Sequence, residues 1–306
     1  MKKQKVIAIV GPTASGKTAL SIALAQHFGS EVISADSRQV YHGMDLGTGK
    51  VTPEEMAGVP HHLIDIADPI TDTYTGSDFI RDAKAAITDI TRRGNLPIIA
   101  GGTFFYIELL RGTMQPAPVA PNKQLRTELE TKSNLELFAL LQAADPERAA
   151  TIDRDNPRRL IRALEIIDAL GVVPPVIPTE SDYQWLTIGI DVPTDILNAR
   201  IYERIMTRLD TGMIEEVDAL QKNGVSWERL EDFGLEYRYI ARFLREQITR
   251  DTMIQELAAK TRQFAKRQRL WLKRDPSIVW LPFPADSSIA IYTVQDFISP
   301  KTRNEQ

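Results

Sequence analysis

The octapeptide Gly11-Pro12-Thr13-Ala14-Ser15-Gly16-Lys17-Thr18 fits the pattern G-x-x-x-x-G-K-[ST]. Its glycines let the backbone curl around an anion, and a helix starting behind it aims N–H groups and a dipole at the same point. Lys17 adds a positive charge. The Thr18 hydroxyl suits magnesium, so Mg2+ is the expected cofactor and Thr18 its protein ligand. A loop of this kind specifies phosphate or diphosphate and leaves the reaction open. Phosphoryl transfer from a nucleoside triphosphate is its commonest use, but an organic diphosphate presents the same two phosphates.

Asp36-Ser37-Arg38-Gln39 follows a strand-like run, at the end of a parallel sheet where open α/β folds place their ligands. Asp36 is therefore a credible base; the alternative is that it caps the turn that follows it. Asp65 ends another run, either as a weak Walker B carboxylate or as a turn residue. Gly101-Gly102-Thr103 lies at the same sheet edge, where the glycines allow close approach and Thr103 either donates to a ligand or caps the next helix.

The elements that must hold these residues alternate. Val6–Val10, Glu31–Ala35, Leu63–Ile66 and Leu96–Ala100 read as strands, and Asp78–Arg93 has helical spacing and stops at Gly94. Alternation of this kind gives an α/β fold, a P-loop NTPase-like parallel sheet covered by helices. Pro116, Pro118 and Pro121 then read as a linker into a helical stretch that ends near Gly171, before a second proline-rich segment and a returning strand at Trp185–Ile190. The implied organisation is a catalytic core in two parts, residues 1–113 and 184–306, carrying a helical insertion domain at 114–183. Several helices fill Thr194–Arg274, Ile278–Leu281 is an edge strand, and the rest reads as a polar tail.

The chain has 306 residues, 43% hydrophobic and 25% charged, which suits a folded globular protein. No apolar run approaches the roughly 20 residues that span a bilayer, and a cytoplasmic protein without membrane contact is expected. Without cysteine there is no thiol nucleophile and no thiolate-held zinc, and His27, His42, His61 and His62 have no recognised metal spacing. The formal charge is −4, yet Lys260–Arg274 holds seven basic residues and no acidic one, a local footprint for a polyanion or a solvated helix face. There Arg262, Lys266, Arg269 and Lys273 form one helical stripe, and Ile254, Leu257, Thr261, Phe264, Gln268 and Trp271 another that can face the core.

Taken in order, GPTASGKT, DSRQVY (36–41), HHLID (61–65), GGTFFY (101–106), NPRRLIRALE (156–165) and TRQFAKRQRLWLKR (261–274) resemble the tRNA dimethylallyltransferases over roughly residues 6 to 280. The resemblance implies transfer of a dimethylallyl group from dimethylallyl diphosphate to N6 of the adenine adjacent to the anticodon, in tRNAs reading codons that begin with U. It makes Asp36 the base, sets Thr13 near the reacting centre, and gives Lys17 and Arg204 the diphosphate, with Arg200 sharing that role. It assigns the tRNA anticodon loop to Asp36, Ser37, Arg38, Gln39 and Thr103, to Arg126, Arg158, Arg159 and Arg162 in the insertion, and to Lys266, Arg267, Gln268 and Arg269. A monomer of bacterial type is implied. Two segments depart from the family's usual wording: Gly47-Thr48-Gly49-Lys50-Val51 and Phe233-Gly234-Leu235-Glu236-Tyr237. Competing readings are prenylation of a free adenine nucleotide, a small-molecule kinase, and a non-catalytic RNA-binding NTPase; the insertion and basic helix favour a macromolecular substrate.

Overall fold

The computed structural model describes residues 3–115, 117, 119–120, 122–175 and 177–299. The chain forms two compact units, one made of the segment up to Arg111 together with that from Glu180 onward, the other of Gly112–Thr179. In the first unit β1 (Gln4–Val10), β2 (Glu31–Ser34), β3 (His61–His62), β4 (Pro97–Ala100), β5 (Tyr183–Asp191) and β6 (Ile278–Pro282) make one parallel sheet in the order β3-β2-β4-β1-β5-β6. Val6–Val10 is buried along its whole length, as an unbroken apolar run requires at the centre of a parallel sheet. Because every strand runs the same way, β1, β2, β4 and β5 all end at one edge, and Gly11, Asp36, Gly101 and Asp191 follow or close them there.

Helices α1 (Lys17–Phe28), α2 (Pro53–Met56), α3 (Gly76–Arg92) and α4 (Phe104–Arg111) belong to the first part of this unit. The strand bounds shift by one or two residues from those expected, and one strand moves altogether. The third strand is His61–His62 rather than Leu63–Ile66, because Leu63 and Asp65 take positive φ (61° and 53°), which no extended strand accommodates. Asp65 accepts from Lys50 Nζ at 2.5 Å, so its carboxylate serves a buried lysine, and the Walker B reading fails.

The second unit contains α5 (Lys123–Glu130), α6 (Asn134–Ala144), α7 (Pro146–Thr151) and α8 (Pro157–Leu170) around Leu129, Leu137, Leu141, Leu160 and Ile161. Its ends meet where Thr179 N donates to Gly112 O at 2.9 Å, so it closes at 112–179 and not at 114–183. Tyr183 already pairs with Gln4 in the sheet. Pro116, Pro118 and Pro121 lie outside the described residues.

The first unit resumes with α9 (Thr194–Asp210), α10 (Met213–Lys222), α11 (Trp227–Phe233), α12 (Leu235–Leu244), α13 (Arg250–Leu272) and α14 (Ser287–Ile298). The segment read as a polar tail holds α14, which packs on α1 and buries Ala290 and Val294. Among the described residues no helix is long and apolar enough to cross a membrane.

Candidate active site at the phosphate loop

α1 begins behind Gly16, which stands at φ 94°, and no side chain caps its first turn. The N–H groups of that turn are thus available to an anion. Lys17 folds over the loop, its Nζ donating to Gly11 O (3.0 Å) and Pro12 O (2.8 Å). Burial above all, then the charge of Arg204, lowers its pKa to about 7 against the opposing pull of Asp36. The charges of Lys17, Arg204 and Asp36 therefore act on one another at the loop. Thr18 is exposed at the helix start, and Ser15 Oγ is buried with no hydrogen-bond partner among the described residues.

Asp36 uses its two carboxylate oxygens differently. Its Oδ1 accepts from Arg38 N (2.9 Å) and Gln39 N (3.4 Å), capping the turn, while Oδ2 is on the side of Gly102. Gly101 must be glycine, since a Cβ there would collide with the backbone of Ala35. Thr103 uses its hydroxyl on Ser37, accepting from Ser37 N at 3.1 Å and donating to Ser37 Oγ at 3.3 Å, and does not cap α4. Gln39 is consumed internally, with Nε2 donating to Gly49 O (3.2 Å) and Oε1 accepting from Ser34. Arg38 donates to Asp232 O and lies over the Phe233 ring.

Gln268, on α13, joins the two loops: Thr13 N donates to its Oε1 at 2.8 Å and its Nε2 donates to Gly102 O at 2.9 Å. It is buried, as the core-facing stripe requires, and it touches the loop that carries Thr13. That stripe differs at two places. Ala265 and Leu272 are buried where Phe264 and Trp271 were expected, and these two rings are exposed.

α9 supplies the cations. Arg200 Nε donates to Ala14 O at 2.9 Å and its guanidinium lies over Phe283, so Arg200 braces the loop. Burial, then Arg208, brings the Arg204 guanidinium down to about 10. Both Arg204 and Arg208 close over Gly49, which stands at φ 61° with no room for a side chain. The Gly47–Val51 departure thus makes space for these arginines. Its loop is held by Glu216, whose carboxylate accepts from Asp45 N, Leu46 N, Gly47 N and the Tyr237 hydroxyl.

Arg208 and Glu236 were not singled out from sequence. The four-residue spacing of Arg200, Arg204 and Arg208 was a visible signal for the first; for Glu236 there was none beyond its unusual segment. Burial pushes the Glu236 carboxyl up, against the attraction of Arg208 and Arg204, and the charge of Asp36 adds to the rise.

The RNA candidates divide. Lys266 and Arg267 are exposed on α13, whereas Arg269 pairs with Asp191 at 2.8 Å and donates to Thr194, and Lys273 pairs with Asp191 at 3.0 Å. In the second unit Arg158 and Arg159 are exposed in the first turn of α8. Arg126 and Arg162 instead grip the covered carboxylate of Glu165, Arg126 through Nε at 2.6 Å and Nη2 at 2.8 Å, Arg162 through Nη1 at 3.2 Å. These two stabilise the unit's own interior.

A parallel sheet whose carboxyl edge carries an uncapped phosphate loop, a neighbouring carboxylate and a half-buried arginine defines a protein of the P-loop class. The IPP transferase family model matches residues 39–275. A tRNA dimethylallyltransferase of Thermomicrobium roseum is 43% identical over 285 residues, spanning 91% of this chain and 86% of the relative. One from Roseiflexus sp. is 43% identical over 295 residues, 92% and 94% of the two chains. The tRNA isopentenylpyrophosphate transferase structure from Bacillus halodurans aligns with TM-score 0.71 at 36% identity, covering 97% of this chain and 96% of that one. A eukaryotic dimethylallyltransferase acting on tRNA aligns at TM-score 0.77 and 27% identity over 99% of this chain and 81% of its own. The chain belongs to the IPP transferase family.

Proposed function

We propose that the protein transfers a dimethylallyl group from dimethylallyl diphosphate to N6 of the adenine adjacent to the anticodon, in cytoplasmic tRNAs reading codons that begin with U, and does so as a monomer. The observation that carries this is Gln268 tying the P-loop at Thr13 to Gly102, on whose side Asp36 Oδ2 lies, with the charges of Arg204 and Asp36 both felt at Lys17. In the reaction N6 attacks the allylic carbon, the carbon–oxygen bond breaks, and the electron pair leaves with diphosphate. Loop N–H groups, Lys17 and Arg204 stabilise the charge growing on that leaving group. Asp36 Oδ2 takes the proton from N6, a transfer worth roughly 10² to 10⁴ in rate. The base must first be drawn out of the anticodon loop to reach it.

Magnesium fits this site in one way. Thr18 is exposed at the loop, and no cluster of three carboxylate or imidazole ligands exists among the described residues. The chain then contributes one hydroxyl and leaves the remaining positions to diphosphate and water, as magnesium commonly prefers. When bound, the ion neutralises charge on the departing diphosphate.

The test is to incubate the protein with unmodified tRNA, magnesium and dimethylallyl diphosphate, without ATP, and to digest the RNA for mass spectrometry. Isopentenyladenosine is the expected product. Modification of free adenine nucleotides alone, or strict dependence on ATP, would contradict the proposal.

A further inference from the structure

The exposure of Phe264 and Trp271, 40% and 38%, is unexplained by the fold. A step of one residue turns a helix by about 100°, so the buried line through Thr261, Ala265, Gln268 and Leu272 leaves both rings on one flank of α13. Arg262, Lys266, Arg269 and Lys273 occupy the opposite flank. Beyond the rings on their own side stand Arg267, 6.0 Å from the Phe264 ring centre, and Arg274, 5.9 Å from that of Trp271. The rings also bracket Gln268, one turn before it and one turn after it, and Gln268 contacts Thr13 and Gly102. Two exposed aromatic groups, each accompanied by an arginine, thus stand beside the catalytic loops.

We propose that Phe264 and Trp271 are stacking platforms for the unpaired bases on either side of the adenine that enters the site. The inference rests on the tRNA reading above. Charge selects the occupant, because Arg267 and Arg274 stand beside the rings while Arg269 and Lys273 are taken up by Asp191, and an aromatic ring beside an arginine suits a base attached to a phosphate. Spacing selects the arrangement. Seven residues of helix separate the rings by about 10.5 Å, far more than the roughly 3.4 Å between neighbours in a base stack, but compatible with two bases from between which a third has been withdrawn.

The test uses an anticodon stem-loop with 2-aminopurine placed at each flanking nucleotide in turn. Bound to the wild-type protein, the probe should be quenched at both positions. Phe264→Leu should relieve quenching at one and Trp271→Leu at the other, each raising the Michaelis constant for RNA by about 5- to 150-fold. The Michaelis constant for dimethylallyl diphosphate should hold, as should the salt dependence of RNA binding, which Arg267→Ala should flatten. Phe264→Tyr and Trp271→Phe keep a ring and should behave as wild type. Unchanged RNA affinity and quenching in the leucine variants would overturn the inference, as would equal losses in the ring-preserving variants. Self-association abolished by the leucine substitutions at unchanged RNA affinity would assign the patch to a second copy and also overturn it. An inactive wild type would instead sink the proposed function.

Discussion

Lys17 is poised so that its charge depends on what approaches it. Burial, then Arg204, holds its ammonium near 7, and an arriving diphosphate favours the charged form. Above pH 7 binding must therefore take up a proton. Calorimetry of inorganic pyrophosphate at pH 8, in buffers of different ionisation enthalpy, should show more proton uptake by wild type than by Lys17→Met, with affinity falling as pH rises; equal uptake by the two would contradict this. At this scale the sequence was legible where a motif fixes spacing: Gly11–Thr18 and Asp36 could be found without coordinates. Glu236 and Arg208 could not be assigned the same way, because tertiary packing brings them to Asp36 and Gly49.

Among the elements, α13 does the joining. Gln268→Leu would leave Thr13 N and Gly102 O without their partner, a cost of about 1–3 kcal/mol for each buried group that stays unsatisfied. Loosening the loop that cradles the diphosphate should raise the Michaelis constant for dimethylallyl diphosphate and lower the melting temperature together. Steady-state kinetics and thermal melts check this, and a variant unchanged in both would show that Gln268 only fills space. The core strands and the helical stretches between them followed from period and punctuation, since β-branched runs and glycine stops act locally, whereas their order in the sheet was not read from sequence. The failures have local causes too. Positive φ at Leu63 and Asp65 shifted β3, and the face of α13 was misread because Ala265 buries as well as a larger side chain does. α14 was missed although apolar residues make up more than half of it, because its period was not followed past the prolines that precede it.

Across the whole molecule charge is spent mostly on the fold. Asp191 holds Arg269 and Lys273, and Glu165 holds Arg126 and Arg162, which is why side chains alike in sequence pattern have different partners. Burial opposes ionisation of Glu165, but Arg126, Asn122 N and Arg162 outweigh it and keep the carboxyl below its usual range. A carboxyl held low in the folded state contributes stability above its unfolded pKa, roughly 4.3, and loses it as pH falls further through the folded value. Protection of residues 112–179 in hydrogen exchange should therefore weaken below about pH 4.3 in wild type, while Glu165→Gln should already be weaker at pH 7 and flatter across that window. An acid response identical in both proteins would remove Glu165 from the account. The central claim, that a carboxylate faces a leaving diphosphate held by the P-loop, is tested most directly by Asp36→Asn in single turnover. Asparagine keeps an oxygen for Arg38 N and Gln39 N and cannot take up the proton. Prenyl transfer should slow by roughly 10² to 10⁴ fold with tRNA affinity within a few fold of wild type, and a near-normal single-turnover rate would contradict the account.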